Sequence, residues 1–360
     1  MSGNLLDLLR EALSDEPSID RPAGIELELK LLPTGDLPVM PPSYEGDLEI
    51  HERHLDDQQR KAIELDSVGS AANRIEEVLL ALKLADRYPL PVTTTTIEPT
   101  GLDPITVSTL EVPHRVFDAW IRLSDAPDGS GKFEDSEHGR ELTLAHQRAL
   151  DPILETSAHD LLFGVWDSQR KGPHGQVRVA RSLTTTLIGL DPIPQTRLAA
   201  RRDPLNLGEG SDLPKGHKKL SEQGLSSIPP QRLRGGVSIT EARYLGFLSF
   251  ASLRRLGFAK YDPAAVRTML AALGLYGVLL RCGSGWDLRS GCSLVPSGEP
   301  TFRIAAPDRK GEEISLSIGN AEAMLNEAVS AVGIQDRGVD LKAGKTLNDL
   351  VDKAIAEAHS

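Results

Sequence analysis

Apolar and polar positions alternate most clearly between Ile25 and Leu32. There Ile25, Leu27, Leu29 and Leu31 share one side against Glu26, Glu28 and Lys30. A period of two predicts a half-buried strand. Residues 4–14 predict a short amphipathic helix before it. Residues 33–59 are proline-rich, then acidic and His-bearing, and predict a loop with short elements. From 60 to 86 the period changes from strand-like (Ala62, Ile63, Leu65) to helical (Ile75, Val78, Leu79, Leu82). Beyond an irregular connection at Pro89–Thr96, residues 105–112 predict a strand, 115–123 a short helix or strand, 124–139 a polar loop and 140–157 a helix. Residues 240–257 predict a helix, as do 263–280, where apolar residues surround the axis and imply burial. Strands near 286–289, 301–305 and 312–318 and helices near 319–332 and 346–358 complete the chain. Strands mixed with helices, without regular βα alternation or an internal repeat, predict an α+β fold.

The period change at Asp66–Glu76 carries the first chemistry. Ser67, Gly69, Ser70 and Asn73 fall at a helix start, with Arg74 in its first turns. Free backbone N–H groups and the positive end of the helix dipole gather at such a start. Glycine admits close backbone approach, the hydroxyls and amide donate, and arginine adds charge, which are the parts of a phosphate-binding corner. The same residues also read as an ordinary cap, with Ser67 or Ser70 as N-cap and Asn73 and Arg74 on a solvated face.

A second block lies at residues 163–182. An apolar strand, Leu161 to Trp166, is expected to end in a polar, basic, Gly-rich loop holding Ser168, Arg170, Lys171, Gly172 and Gly175. A strand follows with Val177 and Val179 on one side and Arg178, Ala180 and Ser182 on the other, with Arg181 beside them. Trp166 has two readings, a platform for base stacking or a core residue closing the strand.

The two blocks, in this order and about this far apart, resemble those of the crRNA-binding backbone subunit of type I-G (formerly I-U) CRISPR surveillance complexes, a branch of the Cas-seven superfamily. The resemblance runs from about Ile25 to about Ile318 and is weakest over 197–235. It implies a modified RNA-recognition-motif (ferredoxin-like) core with large insertions, in one subunit spanning 1–360. It also implies a non-catalytic protein without cofactor, while the two cysteines make a cytoplasmic, reduced setting the default expectation. Copies would stack as a helical filament along one crRNA beside other CRISPR effector subunits, a projecting hairpin kinking the strand. Sequence would be read by pairing of guide with target DNA while protein holds the backbone. Implied RNA contacts are Ser67, Gly69, Ser70, Asn73, Arg74, Trp166, Ser168, Arg170, Lys171, Arg178 and Arg181. The long stretch 191–236 reads as unstructured, Gly- and Pro-rich and basic, either a disordered loop or an RNA-contacting insertion, and adds Arg201, Arg202, Lys218, Lys219, Arg232 and Arg234.

Charge changes the picture only when localised. The 360-residue chain has a net charge of −12, unfavourable for a polyanion. Ser168–Lys260, however, carries 16 Lys+Arg against 6 Asp+Glu, and the remainder 24 against 46. A basic middle in an acidic chain fits a polyanion groove or a solvated basic face, and also head-to-tail packing of copies. Aromatic residues make up only 4%, so stacking must rest on few side chains. No signal sequence and no apolar run approaching membrane-spanning length is expected.

Other chemistry is weaker. Gly344-Lys345-Thr346 mimics the end of a P-loop, but Val339 stands where the first glycine belongs. Cys282 and Cys292 lack partners for a zinc site. Asp125, Asp128 and Asp135 miss the EF-hand order. Glu49, His51, His54 and Asp56 read as surface rather than metal ligands. Relatives in type III complexes cleave target RNA through a loop aspartate, which makes Asp128 and Asp135 the candidates for a ribonuclease alternative. A nucleic-acid-independent oligomeric scaffold is the third reading.

Overall fold

A computed structural model describes residues 2–42, 48–202, 204–205, 227–306 and 312–358. Helix α1 (Ser2–Leu13) precedes strand β1 (Gly24–Pro33), and the hairpin β2 (Ile50–Leu55) and β3 (Gln58–Asp66) leads into α2 (Val68–Leu84). Strands β4 (Thr94–Ile97) and β5 (Ile105–Ser108) follow, then α3 (Ala119–Arg122), α4 (Glu137–Leu144), α5 (Asp151–Thr156) and α6 (Asp160–Phe163). The short strands β6 (Val165–Trp166) and β7 (Arg178–Val179) come before β8 (Leu183–Leu190), β9 (Ile193–Arg201), β10 (Ile228–Ser238) and β11 (Ala242–Ser249). The chain continues through α7 (Phe250–Arg254), α8 (Pro263–Gly283), β12 (Trp286–Arg289), β13 (Cys292–Pro296), β14 (Thr301–Ala305) and β15 (Glu313–Ile314). It closes with α9 (Ile318–Val332), β16 (Asp340–Lys342) and α10 (Lys345–Ala358).

The main sheet is antiparallel and runs β12-β13-β1-β11-β8-β3-β2, with β14 also on the outer edge of β1. The predicted alternation of β1 is realised: Ile25, Leu27, Leu29 and Leu31 are buried. They lie in register with Leu248, Gly246, Tyr244 and Ala242 of β11. Helix α8 packs against α1, α2 and α9 and is buried through most of its 21 residues. By length and composition it could cross a membrane, contrary to the expectation that no run approaches that length, yet 78% of its apolar window is buried. Gly277 lets α2 approach closely, since a Cβ there would lie 2.8 Å from Ile75. One apolar cluster extends from Leu5 to Leu341. Strands β4, β5 and β16 form a small side sheet; its cluster of Ile97, Ala343 and Leu347 draws one residue from α10.

Several expectations are corrected. Residues 240–257 are not one helix but β11 followed by α7. Their apolar spacing suits both periods, and ladders to β1 and β8 on either side decide for the strand. Gly246 sits at the centre, where a Cβ would be 2.9 Å from Leu27 and Thr185. Leu161–Trp166 is not a strand but the end of α6, a Gly164 turn and the two-residue β6; the strand expected after the loop shrinks to β7. Residues 140–157 split into α4 and α5 around Ala145–Leu150. Residues 33–59, expected as a loop with short elements, hold β2 and the start of β3. The strand near 312–318 is confined to β15, and the strand expected over 105–112 ends at Ser108 with β5.

The stretch 191–236 is also not unstructured. Its two ends pair as the antiparallel ribbon β9–β10, which continues the β8–β11 hairpin outward. Pro194 and the polar, exposed character of β9 hide any apolar period, so backbone pairing makes the ribbon. Residue 203 and residues 206–226, including Lys218 and Lys219, lie outside the described residues.

Candidate nucleic-acid interface

Ser67 is the N-cap of α2: its backbone is extended and its Oγ accepts from the Ser70 N–H at 3.3 Å. The capping half of the expectation therefore holds for Ser67. The N–H groups of Val68 and Gly69 remain at the exposed first turn, where the helix dipole is positive. A Cβ built on Gly69 would meet nothing within 4 Å, so the fold does not demand glycine there. Asn73 is exposed one turn on. Arg74 turns inward, donating to Asp66 Oδ2 at 3.0 Å and to the Leu288 carbonyl at 3.1 Å. It braces β3 against β12 and adds less charge to the corner than its position in sequence promised.

The second block is organised by a buried carboxylate. Asp167 accepts from the Gln169 N–H, the Arg170 N–H and Arg170 Nε, the last at 2.8 Å. Arg170 also reaches the Gly139 carbonyl at 3.4 Å and lies over the Phe117 ring, so it is largely committed within the chain. Lys171 and Arg178 are exposed. The Ser168 carbonyl accepts from Gln176 Nε2 at 2.8 Å, closing the loop. Trp166 is 50% exposed with the Arg178 guanidinium 5.6 Å from its ring centre, which decides against the core reading. An exposed indole beside an arginine can stack a base and neutralise the adjoining phosphate.

The structure brings the two blocks together. Arg181 donates through Nε to the Phe163 carbonyl at 3.0 Å and through Nη1 to the Val68 carbonyl at 3.2 Å. It thus stands between the helix start and the basic loop. Arg115, which sequence reasoning placed only in a short helix or strand, makes a bidentate pair with Glu76 of α2, both bonds at 2.7 Å. It also donates to the Gly164 carbonyl at 3.0 Å. Burial raises the Glu76 carboxyl against the opposing pull of Arg115, and Arg115, which burial alone would lower, is held above its ordinary value by the Glu76 carboxylate. Burial and the like charge of Arg115 lower Arg181. Nearby Asp160, fully buried, accepts from Ser157 Oγ and the Val116 N–H, and burial pushes its carboxyl up to about 7. Burial lowers its neighbour His159 to about 3.

The ribbon presents Arg197, Arg201 and Arg202 at exposed positions of β9 and just beyond it. Arg232 and Arg234 lie on β10, their side chains outside the described residues. Other cations of the basic middle are partnered within the chain. Arg243 is buried among Glu28, Asp56 and Glu241, Lys260 pairs with the buried Glu155, and Arg254 donates to the Ala12 carbonyl. The basic excess therefore divides between exposed side chains (Lys171, Arg178, Arg197, Arg201 and Arg202), the half-buried Arg181 and cations partnered within the chain.

Among the described residues no group of three or more His, Cys, Asp and Glu could hold a metal. Cys282 and Cys292 are both free. Asp128, exposed and bonded to Ser130, shares a polar cavity of about 460 Å³ with His138, Glu137, Glu141, Gln335 and Arg337. Burial lowers His138 to about 4, so its imidazole is neutral at pH 7.

Residues 25–193 match a family described as CRISPR-associated protein GSU0053. The matched segment runs from β1 to the start of β9 and contains both blocks and the arginines that join them. The match supports a CRISPR-related role for the chain. No curated protein matches the chain.

Proposed function

We propose that this chain is a non-catalytic backbone subunit of a type I-G CRISPR effector, which oligomerises along crRNA and presents the guide for pairing with target DNA. The observation that carries the reading is the convergence of two blocks far apart in sequence on one surface, joined by Arg181 between the Val68 and Phe163 carbonyls. The exposed start of α2 lies on one side of that joint and the segment carrying Trp166, Lys171 and Arg178 on the other, and groups of these kinds hold a phosphate backbone without reading bases. Chain order supports the RNA-recognition-motif assignment. Strands β1, β8, β11 and β13/β14 alternate with α2 and α8 as β-α-β-β-α-β and lie in the spatial order β13/β14-β1-β11-β8. The ribbon β9–β10, leaving the sheet between β8 and β11, is the element suited to kink the strand.

The test is RNA-dependent assembly. Purified chain is mixed with guide RNA and partner subunits, and particle masses are measured. The reading expects discrete multiples that vanish after ribonuclease treatment of the free guide. Assembly that is identical without RNA supports the scaffold reading instead. The ribonuclease alternative draws on the cavity shared by Asp128 and His138. Regularly spaced cuts in complementary RNA, lost in Asp128→Ala, would establish it.

A further inference from the structure

Five hydrogen bonds from two arginines form a closed ring around the joint between the two blocks. Arg115 grips Glu76 of α2 with Nε and Nη2 and the Gly164 carbonyl with Nη1. Arg181 grips the preceding carbonyl, that of Phe163, and returns to Val68 at the start of the same α2. Resting on the reading above, we propose that Arg115 is a positioning residue of the nucleic-acid interface. It fixes the separation between the helix start at Val68–Ser70 and the loop at Asp167–Gln176, and so the spacing of the phosphate contacts that the two blocks make.

Four observations carry this. The backbone at Arg115 is in the left-handed region, φ 51°, which a non-glycine residue holds only where its surroundings enforce it. All three groups of its fork are engaged, a geometry that lysine cannot reproduce. The loop has no slack at the point gripped: Gly164 has φ 85°, and a Cβ there would lie 2.9 Å from the Arg181 nitrogen and 3.1 Å from the Val179 carbonyl oxygen. Finally, a buried ion pair is a poor source of stability, since apolar residues of similar volume often serve as well or better. Orientation accounts for the pair where stability does not. Arg115 itself is buried, so its effect reaches RNA only through Gly164 and α2.

The experiment uses the full chain carrying Glu76→Met and Arg115→Met together. Thermal midpoint, backbone hydrogen exchange and affinity for labelled guide-length RNA are measured side by side with the wild type. The expected result is an unchanged or raised midpoint and unchanged exchange in α8. Exchange across Val165–Val179 should rise about tenfold and RNA affinity fall about tenfold, the size expected when the two blocks can no longer engage neighbouring phosphates together. Unaltered RNA affinity in the double variant overturns the proposal, whether or not exchange has risen. Should the double variant not fold, Arg115→Lys keeps a charge opposite Glu76 but cannot hold Gly164 as well. The same two readouts then decide. A wild-type chain that binds no RNA overturns the functional reading beneath the proposal, whereas wild-type binding with an unaltered variant overturns the positioning role alone.

Discussion

Gly69→Ala separates a phosphate-binding corner from an ordinary helix cap. Gly69 is exposed in the first turn of α2, its backbone is helical, and an added Cβ would find nothing within 4 Å. Alanine is favoured over glycine in a helix interior by about 0.8–1.0 kcal/mol, and by less in the first turn. It also reduces the freedom of the unfolded chain, an effect of about 0.4–1 kcal/mol. Folding alone therefore predicts a thermal midpoint unchanged or raised by about 2 °C. RNA binding predicts the opposite sign. A methyl over the Val68 and Gly69 N–H groups would deny a phosphate oxygen its charge-assisted bond, worth about 1.5–3 kcal/mol, or roughly 10- to 150-fold in affinity. The assay pairs thermal melts with fluorescence anisotropy of labelled guide RNA at several salt concentrations. Because no charge is removed, the slope of log affinity against log salt should stay that of the wild type. Affinity within about twofold of wild type, beside an unchanged or raised midpoint, would refute the corner and leave Ser67 as a simple cap.

Three further outcomes follow from particular side chains. Arg178→Ala removes an exposed charge, so it should weaken binding of all sequences alike and lower the salt slope by about one; an unchanged slope removes Arg178 from the interface. Trp166→Ala should cost about 1–3 kcal/mol in RNA affinity with little change in melting, because the indole is half exposed; unaltered anisotropy assigns Trp166 to its contacts with Arg178 and Gln176. His138 has a folded value of about 4 against 6.5 unfolded, so its stabilisation is complete above 6.5 and is lost as pH falls toward 4. His159 acts in the same direction, and Asp160, raised to about 7, acts in the opposite one over the same range. Melts between pH 7 and 4 should therefore show a shallower acid loss in His138→Gln than in wild type.

Sequence reading succeeded where one local rule governed. The period-two run of β1, the apolar α8 and the change of period at Asp66–Glu76 each depend on neighbours within a few residues. It failed where distant partners decide. β11 carries apolar spacing that suits either period, and the ladders from β1 and β8 choose the strand. The ribbon β9–β10 has no buried face on β9 to leave a pattern. At the interface, the residue types of both blocks were legible, but their roles were not. Arg74 and Arg170 looked like free cations and instead brace Asp66 and Asp167. Arg115 and Glu76, 39 residues apart, gave no signal, because an isolated arginine and an isolated glutamate show nothing until the fold buries them together. Arg181 meets Val68 across 113 residues.

The most direct measurement is the nucleic acid that co-purifies with this chain, expressed with and without a CRISPR array and partner subunits. A discrete guide-length RNA on a high-mass species, present only with the array, is the predicted result. A nucleic-acid-free monomer under both conditions would contradict the account and return the start of α2 to an ordinary helix cap.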